Sequence, residues 1–204
     1  MTAARPSGID GRRLRSERTR QLIIDAYLAL AREKSRVPTA AQVAERAGYS
    51  VRSVFERFPD LQALRAAVAD RAIAEASAQS ALRDLDADRA TRLHSQAAVR
   101  GQSCERWLPL WRVLMADQNP SAELQQRVSR IRQLVMMRVE VMFKPELSTL
   151  SDPERRQTLI ALEAVIAFES WARMREMFGL SFDEACATWI RAMDALLPRT
   201  PAVS

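Results

Sequence analysis

The sequence is poor in the residues that active-site chemistry and cross-linked frameworks require. It has one histidine, two cysteines and five glycines in 204 residues. Two cysteines cannot form a disulfide framework, and they favour a reducing cytoplasm. Five glycines are too few for a turn-rich all-β fold. The longest apolar run, from Ala26 to Ala31, is far shorter than the roughly 18 residues that span a bilayer. No secretory signal is visible, so we expect a cytoplasmic protein with no membrane association.

Catalytic motifs are also missing from the sequence. The single histidine, His94, has no carboxylate or cysteine at metal-ligand spacing. Walker, GxGxxG and GxSxG patterns do not occur. Cys104 and Cys186 form no CxxC pair and have no histidine nearby, so they are interpreted as buried small residues. We therefore expect no enzyme, no metal site and no cofactor.

Positive charge is concentrated at one end of the chain. Residues 1–70 hold 13 Lys or Arg against 8 Asp or Glu, whereas the remainder holds 18 against 17. Such an asymmetry is typical of a segment that faces a polyanion. All four tryptophans and seven of the eight methionines lie beyond residue 100. The preference for arginine, 29 against 2 lysines, favours a GC-rich bacterial genome.

Apolar spacings of three and four residues recur along the chain and predict an all-α fold of about nine helices. Residues 1–17 show no apolar period and are predicted to form a flexible basic arm. A helix is predicted from Arg18 to about residue 35, and the polar residues 84–100 are expected to form a short helix before a loop around Gly101. The remaining predicted helices cover residues 39–47, 51–57, 61–82, 103–117, 121–143, 151–178 and 181–197.

Two of the short helices have the spacing of a helix-turn-helix. Gly48-Tyr49-Ser50 joins them, and in such a pair the second helix enters the major groove of DNA. There Arg52 can donate two hydrogen bonds to guanine, and Thr39 can contact a phosphate. An ordinary helical pair with a solvated arm is the alternative. The candidate DNA-binding residues are Arg12, Arg13, Arg15, Arg18, Thr39, Ser50, Val51, Arg52, Ser53, Phe55 and Arg57.

Three stretches of residues 18–64 resemble the N-terminal signature of TetR-type transcriptional regulators. They are Arg18-Thr-Arg-Gln-Leu-Ile-Ile-Asp-Ala, Thr39-Ala-Ala-Gln-Val-Ala-Glu-Arg-Ala-Gly-Tyr-Ser and Ser53-Val-Phe-Glu-Arg-Phe, with Leu64 beyond them. The resemblance implies a homodimer that binds a palindromic operator in double-stranded DNA, usually represses, and dissociates when a small molecule occupies the C-terminal domain. The corresponding domains are a DNA-binding domain over residues 18–66 and an effector-binding and dimerisation domain over residues 67–204.

Three positions depart from the pattern of that family. Arg52 stands where a small residue is common, which implies an additional DNA contact and an unusual operator. Phe55 replaces a usual tyrosine, and Leu61 replaces a typical lysine, so two phosphate contacts are lost.

Large apolar residues recur on the helices of the C-terminal region and predict a pocket for an apolar or aromatic effector. Trp107, Trp111 and Met115 share one helix face at spacings of four residues. A plain hydrophobic core is the alternative. Glu163 lies in the most apolar stretch, and its role, including neutralisation of a cationic ligand, stays open. The candidate pocket residues are Trp107, Trp111, Met115, Met137, Phe168, Trp171 and Met174.

The helix over residues 151–178 is apolar on more than one face, which predicts burial on two sides. Packing against a symmetry mate satisfies this pattern and places two recognition helices about one DNA turn, roughly 34–36 Å, apart. A monomer that buries both faces internally is the alternative. The candidate dimer contacts are Leu159, Ile166, Ala185, Trp189 and Met193.

These features together predict a sequence-specific DNA-binding regulator whose effector acts through the helix that begins at Leu61, by a shift between two conformations. A dimeric DNA-binding factor that has no effector and acts through a protein partner is the alternative. A redox sensor that uses Cys104 is a further possibility.

Overall fold

A computed structural model describes residues 8–34, 36–79, 81–116 and 119–202, and all regular structure within these ranges is helical. The all-α prediction is therefore confirmed. No helix in these ranges combines the length and apolar character needed to cross a bilayer. The helices are α1 (Gly8–Lys34), α2 (Ala40–Ala47), α3 (Val51–Phe55), α4 (Leu61–Gln79), α5 (Arg89–Met115), α6 (Ala122–Met142), α7 (Lys144–Leu147), α8 (Asp152–Val165), α9 (Phe168–Ala172), which continues into a π-helical turn (Arg173–Met177), and α10 (Phe182–Leu196).

The chain forms two compact units. Unit 1 contains the residues through Ala72 together with Pro109–Arg127, and unit 2 contains Ile73–Leu108 and the residues from Val128 onward. The domain boundary after residue 66 predicted from the sequence differs from this division. Part of the C-terminal region belongs to unit 1, where Arg127 donates from Nε and Nη2 to the Asp70 carboxylate at 3.2 Å.

Helix α1 begins earlier than the sequence pattern indicates. Residues 8–17 are helical, in contrast to the predicted flexible arm, and Met1–Ser7 lie outside the described residues. Arginine is a good helix former, and a helix needs no apolar stripe where it faces solvent. Further along, the Gln21 amide donates to Glu17 at 2.7 Å, a stabilising contact across one helical turn.

Helix α5 continues through Gly101, where the sequence predicted a loop. A Cβ atom added at this glycine would lie 2.9 Å from Trp171 Cη2 and 3.0 Å from Phe182 Cε2. Gly101 is therefore required for the close approach of two aromatic rings and does not end the helix. The loop prediction is wrong because a glycine in a sequence does not distinguish a turn from a packing contact.

Alanine at Gly101 is expected to lower the free energy of unfolding by up to about 2 kcal/mol. Helix propensity alone favours alanine by about 1 kcal/mol, but overpacking against two rings costs about 1–3 kcal/mol. Gly11→Ala is the matched control, because a Cβ at Gly11 meets no atom within 4 Å. Urea unfolding checks the prediction, and stabilisation by both substitutions would show that the rings move aside freely.

The predicted helix over residues 151–178 is interrupted. Helix α8 ends at Val165, and Ala167 is extended with φ −66° and ψ 159°. Arg100 Nε donates to the Ile166 carbonyl at 2.9 Å, and its guanidinium lies 4.4 Å above the centre of the Phe168 ring. Arg100 thus bonds a carbonyl at the end of α8 and covers the start of α9.

A buried ion pair connects α5 with α7 inside unit 2. Arg92 donates to both oxygens of Glu146, at 2.5 and 2.8 Å, and to the Met142 carbonyl at 2.8 Å. The hydroxyl of Thr200 donates to Glu146 Oε1 at 2.5 Å. Arg89 donates to the Asp194 carboxylate and to the carbonyls of Leu197 and Pro198. The residues after α10 are thereby attached to the start of α5.

Candidate nucleic-acid interface

The turn between α2 and α3 has the backbone geometry of a helix-turn-helix. Gly48 is left-handed, with φ 74° and ψ 31°, a conformation that glycine adopts without strain. Its N–H donates to the Glu45 carbonyl, and the N–H of Tyr49 donates to the Ala44 carbonyl at 2.9 Å. The Tyr49 hydroxyl is hydrogen-bonded to Thr19 Oγ1 of α1 at 3.3 Å. The turn is therefore fixed both locally and against α1.

The inner faces of these helices form a continuous apolar core. Val43 of α2 and Val54 of α3 are fully buried, as is Phe58 just beyond α3. Ile23 and Tyr27 of α1 are also fully buried. Burial of Val54 fixes which face of α3 is turned outward, and thus which side chains are available to DNA.

Two predicted DNA-binding residues cap helices in the structure. Thr39 and Gln42 form a capping box, in which each side chain bonds the backbone N–H of the other residue at 3.0–3.3 Å. Ser50 Oγ accepts from the N–H of Ser53 and lies 3.1 Å from Ser53 Oγ. The hydroxyl hydrogen of Thr39 stays available to donate to a phosphate.

The outward face of α3 carries one long cation beside two apolar side chains. The Arg52 side chain is 88% exposed. Val51 and Phe55 are also exposed, and they lie one helical turn apart. Guanidinium groups and apolar side chains read base edges in the major groove, where they contact guanine and the thymine methyl group. This face therefore has the chemistry of a base-reading surface.

Glu56 is a further residue of this surface, which the sequence pattern did not identify. Its Oε1 accepts from Arg52 Nε at 3.1 Å, and its Oε2 accepts from Arg57 Nη1 at 3.3 Å. Arg57 also donates to the Ser53 carbonyl at 3.0 Å. One carboxylate thus contacts two predicted DNA-binding arginines. The spacing of four residues between Arg52 and Glu56 is the signal that could have identified it.

The basic residues of α1 lie on a different element. Arg12, Arg13, Arg15 and Arg18 are all exposed along its first turns. Arg20 is less exposed, and its guanidinium lies 5.0 Å from the centre of the Phe58 ring. The four exposed arginines have the charge and accessibility that phosphate contacts require.

The predicted pocket residues do not share one environment. Trp107, Trp111, Phe168, Trp171 and Met174 are buried. Met115 and Met137 are 46% and 59% exposed, so they do not line an interior site. Both residues occur at spacings typical of an apolar helix face, but spacing alone does not show which face of a helix is buried.

Trp171 belongs to an aromatic cluster in the core of unit 2. Its ring centre lies 5.4 Å from that of Phe182 and 4.7 Å from that of Trp189. Its indole Nε1 donates to Glu105 at 3.1 Å. These contacts match the plain-core alternative for this residue.

The interior of unit 2 also contains polar groups. Gln96 is fully buried; its Oε1 accepts from Arg138 Nε at 3.0 Å, and its Nε2 has no hydrogen-bond partner among the described residues. Burial lowers the pKa of Arg138. Arg100 is one turn further along α5 and is also buried. A molecule bound in this interior would meet hydrogen-bond donors as well as apolar side chains.

The predicted dimer contacts lie inside the protomer. Leu159, Ile166, Ala185, Trp189 and Met193 are all buried within a single chain. They fill the core around α8 and α10, because helices apolar on several faces pack against their own unit. Ile160, which is 48% exposed, and Leu196 are the large apolar side chains that these two helices leave accessible.

The cysteines have the properties of core residues. Both are buried, and burial raises the pKa of the Cys104 thiol to about 11 and that of Cys186 to about 11. Cys186 Sγ donates to the Ala97 carbonyl at 3.6 Å. A buried thiol that stays protonated reacts slowly with oxidants, which argues against the redox-sensor hypothesis. No group of His, Cys, Asp and Glu in the described ranges could hold a metal ion.

Solved structures share this fold. A TetR-family transcriptional regulator from Streptomyces coelicolor is 16% identical with a TM-score of 0.73, over 88% of this chain and 80% of that one. The multidrug binding protein EbrR complexed with imidazole is 22% identical with a TM-score of 0.65, over 90% and 92%. A putative TetR-family regulator from Rhodococcus sp. is 20% identical with a TM-score of 0.61, over 88% and 98%.

These likenesses show that the chain has the TetR-type fold. They confirm the fold that the N-terminal resemblance implied. No protein-family model matches the sequence, and no curated protein sequence is significantly similar to it.

Proposed function

We propose that this protein is a sequence-specific DNA-binding transcriptional regulator with α3 as its recognition helix. The observation that carries the proposal is the outward face of α3, where Arg52 stands exposed beside Val51 and Phe55. A lone helical pair in a scaffold has no need for such a face. The regulators of the same fold, and the basic excess of the first third of the chain, support it.

Each class of contact has a separate role in this proposal. Arg52 reads guanine, while Val51 and Phe55 contact thymine methyl groups. Thr39 and the exposed arginines of α1 bind phosphates and set the position of the protein on the duplex. Repression follows where the operator overlaps a promoter, which is how we propose the protein acts.

Fluorescence anisotropy with labelled duplex DNA at several salt concentrations tests DNA binding. Because phosphate contacts release counterions, affinity should fall linearly on a log–log plot with a slope of about −0.9 for each phosphate neutralised. The four exposed arginines of α1 make eight phosphate contacts across a dimer and therefore predict a slope of about −7. Binding that is absent at low salt would contradict the proposal.

We also propose a homodimer that binds a palindromic operator. A two-fold dimer presents two copies of α3 to two half-sites. Ile160 on α8 and Leu196 on α10 are exposed apolar side chains in unit 2, and they replace the buried residues that the sequence predicted as contacts. Burying them against a second copy would remove apolar surface from water.

Ile160→Asp is expected to convert the dimer into a monomer, because it places an unpaired carboxylate in the apolar contact. Multi-angle light scattering at micromolar concentration measures the mass. Thr158→Asp, on the same helix at a half-exposed position without a large apolar side chain, is the control and should stay dimeric. A monomeric wild-type protein would refute the proposal of a dimer.

We further propose that a small molecule bound in unit 2 controls DNA affinity. EbrR, which has the same fold, is described as a multidrug binding protein and was solved with imidazole. The interior of unit 2 offers Trp107, Phe168 and Met174 as apolar contacts and Gln96 Nε2 as a donor. An effector can act only if it binds two conformations with different affinity, so the test is a ligand-dependent change in operator affinity.

A further inference from the structure

We propose that Glu56 is the residue that sets the base selectivity of α3. Its carboxylate accepts a hydrogen bond from Nε of Arg52 and thereby directs the terminal nitrogens of the guanidinium toward guanine. The inference rests on the proposed function, because it assigns a positioning role within the same DNA-reading surface. Glu56 itself is not proposed to contact a base.

The hydrogen bond from Arg52 to Glu56 uses the Nε of the guanidinium. Nε donates to Glu56 Oε1 at 3.1 Å. A bidentate contact with the O6 and N7 atoms of guanine can use the two terminal nitrogens, Nη1 and Nη2. The Arg52 side chain is 88% exposed, so this terminal edge is accessible while Nε is occupied.

Arg57 fixes the carboxylate that holds Arg52. Its Nη1 donates to Glu56 Oε2 at 3.3 Å and to the Ser53 carbonyl at 3.0 Å. The Arg57 side chain is only 22% exposed, so it is more restrained than a surface arginine. A single exposed ion pair contributes little, and a carboxylate shared between two cations is better ordered. The restrained Arg57 side chain therefore limits the motion of the Glu56 carboxylate, which in turn limits the motion of the Arg52 guanidinium.

The charge of Glu56 has a second consequence for DNA binding. A free arginine on a recognition helix can turn to a phosphate, a contact that carries no sequence information. A carboxylate beside Arg52 repels phosphates and leaves the base edge as the favoured partner. Glu56 therefore lowers affinity for all DNA and raises the preference for one sequence, as a repulsive element against wrong partners does.

The test compares Glu56→Gln with the wild-type full-length protein on two duplexes. One carries the sequence enriched by the wild type from random DNA, and the other has its conserved G·C pair replaced by A·T. Loss of the carboxylate is expected to strengthen binding to the altered duplex by about two- to fivefold. Affinity for the enriched duplex is expected to change little, because the loss of Arg52 positioning offsets the loss of repulsion, so discrimination between the duplexes is expected to fall by the same factor, about two- to fivefold.

Glu45→Gln is the matched control, because Glu45 is an exposed carboxylate of the neighbouring helix α2. It removes the same charge, so it should change both affinities by the same factor and leave discrimination intact. Equal thermal unfolding of the variants establishes that the fold is preserved. A merely structural role of Glu56 would change both affinities together and would not reduce discrimination.

The outcomes separate the inference from the function on which it rests. If the wild type discriminates and Glu56→Gln discriminates equally well, the positioning role is refuted and the proposed function stands. If the wild type enriches no sequence and binds both duplexes equally, the proposed function fails, and the role of Glu56 fails with it.

Discussion

Replacing Glu146 with alanine is expected to lower the free energy of unfolding by about 3–5 kcal/mol, the cost of leaving one buried charge without its partner. Glu146 is 0% exposed, and Arg92, which donates to both of its oxygens, is also buried. Urea unfolding followed by tryptophan fluorescence measures the change. Glu140→Ala on the exposed side of α6 is the control and should stay within about 0.5 kcal/mol of the wild type.

The double substitution Arg92→Leu with Glu146→Leu separates a charge effect from a packing effect. Replacement of a complete buried pair by apolar residues is often neutral, so much of the lost stability should return. A double variant as unstable as Glu146→Ala would mean that the carboxylate stabilises the fold chiefly through its bonds to groups other than Arg92. Thr200 is the nearest such group, because its hydroxyl donates to Glu146 Oε1.

The lowered pKa of Glu146 predicts that the free energy of unfolding falls in acid. Burial raises the pKa of Glu146, but hydrogen bonds from Arg92 and Thr200 outweigh it and hold the pKa below its ordinary value of 4.5. A lowered pKa in the folded state gives stability that is complete above pH 4.5 and is lost as the pH falls through the folded-state pKa. Glu146→Gln should show a weaker dependence on pH in that range.

Replacing Arg52 with alanine is expected to cost about 1–3 kcal/mol of base discrimination in each half-site. Arg52 is the long exposed cation on the outward face of α3, so its loss should relax the preference at one symmetric base pair. Competition between operator variants, followed by anisotropy, measures this change.

Arg130→Ala, which removes an exposed arginine from α6, is the control and should leave the preference unchanged. A uniform loss of affinity for every sequence in Arg52→Ala would place Arg52 on a phosphate. The salt dependence would then become shallower by about one unit for each half-site.

Local sequence signals predicted the turn between α2 and α3 and the start of α10. Gly48 has the left-handed conformation that its position between two short helices implied. Ser181 and Glu184 form the capping box that opens α10, and Gly179, which precedes them, is left-handed as a helix stop. Such signals depend on a few neighbouring residues, so one sequence contains all the information that they need.

Features that depend on distant packing could not be predicted. Nothing near Ile166 resembles a helix breaker, yet the helix ends there, where Arg100 of α5 bonds its carbonyl. Gly101 suggests a turn in sequence, but its meaning depends on two rings from α9 and α10. Met137 fitted an apolar pattern and is exposed, because periodicity identifies a helix face without showing what covers it.

The α3 surface could be predicted only in part, because some of its features are local and others depend on side-chain contacts. The exposed position of Arg52 follows from the spacing of Val54 and the turn, both of which are local. The contacts of Glu56 depend on which rotamers Arg52 and Arg57 adopt, and Ser53 contributes through a backbone carbonyl. Sequence spacing shows that such a contact is possible and does not show that it forms.

Selection from random duplex DNA by the purified wild-type protein is the most direct test of sequence-specific recognition. We predict enrichment of an inverted repeat, with a G·C pair in each half-site and half-sites about one DNA turn apart. Recovered DNA without an enriched sequence, bound weakly and lost as salt rises, would contradict this and leave α3 as a general phosphate-binding or structural element.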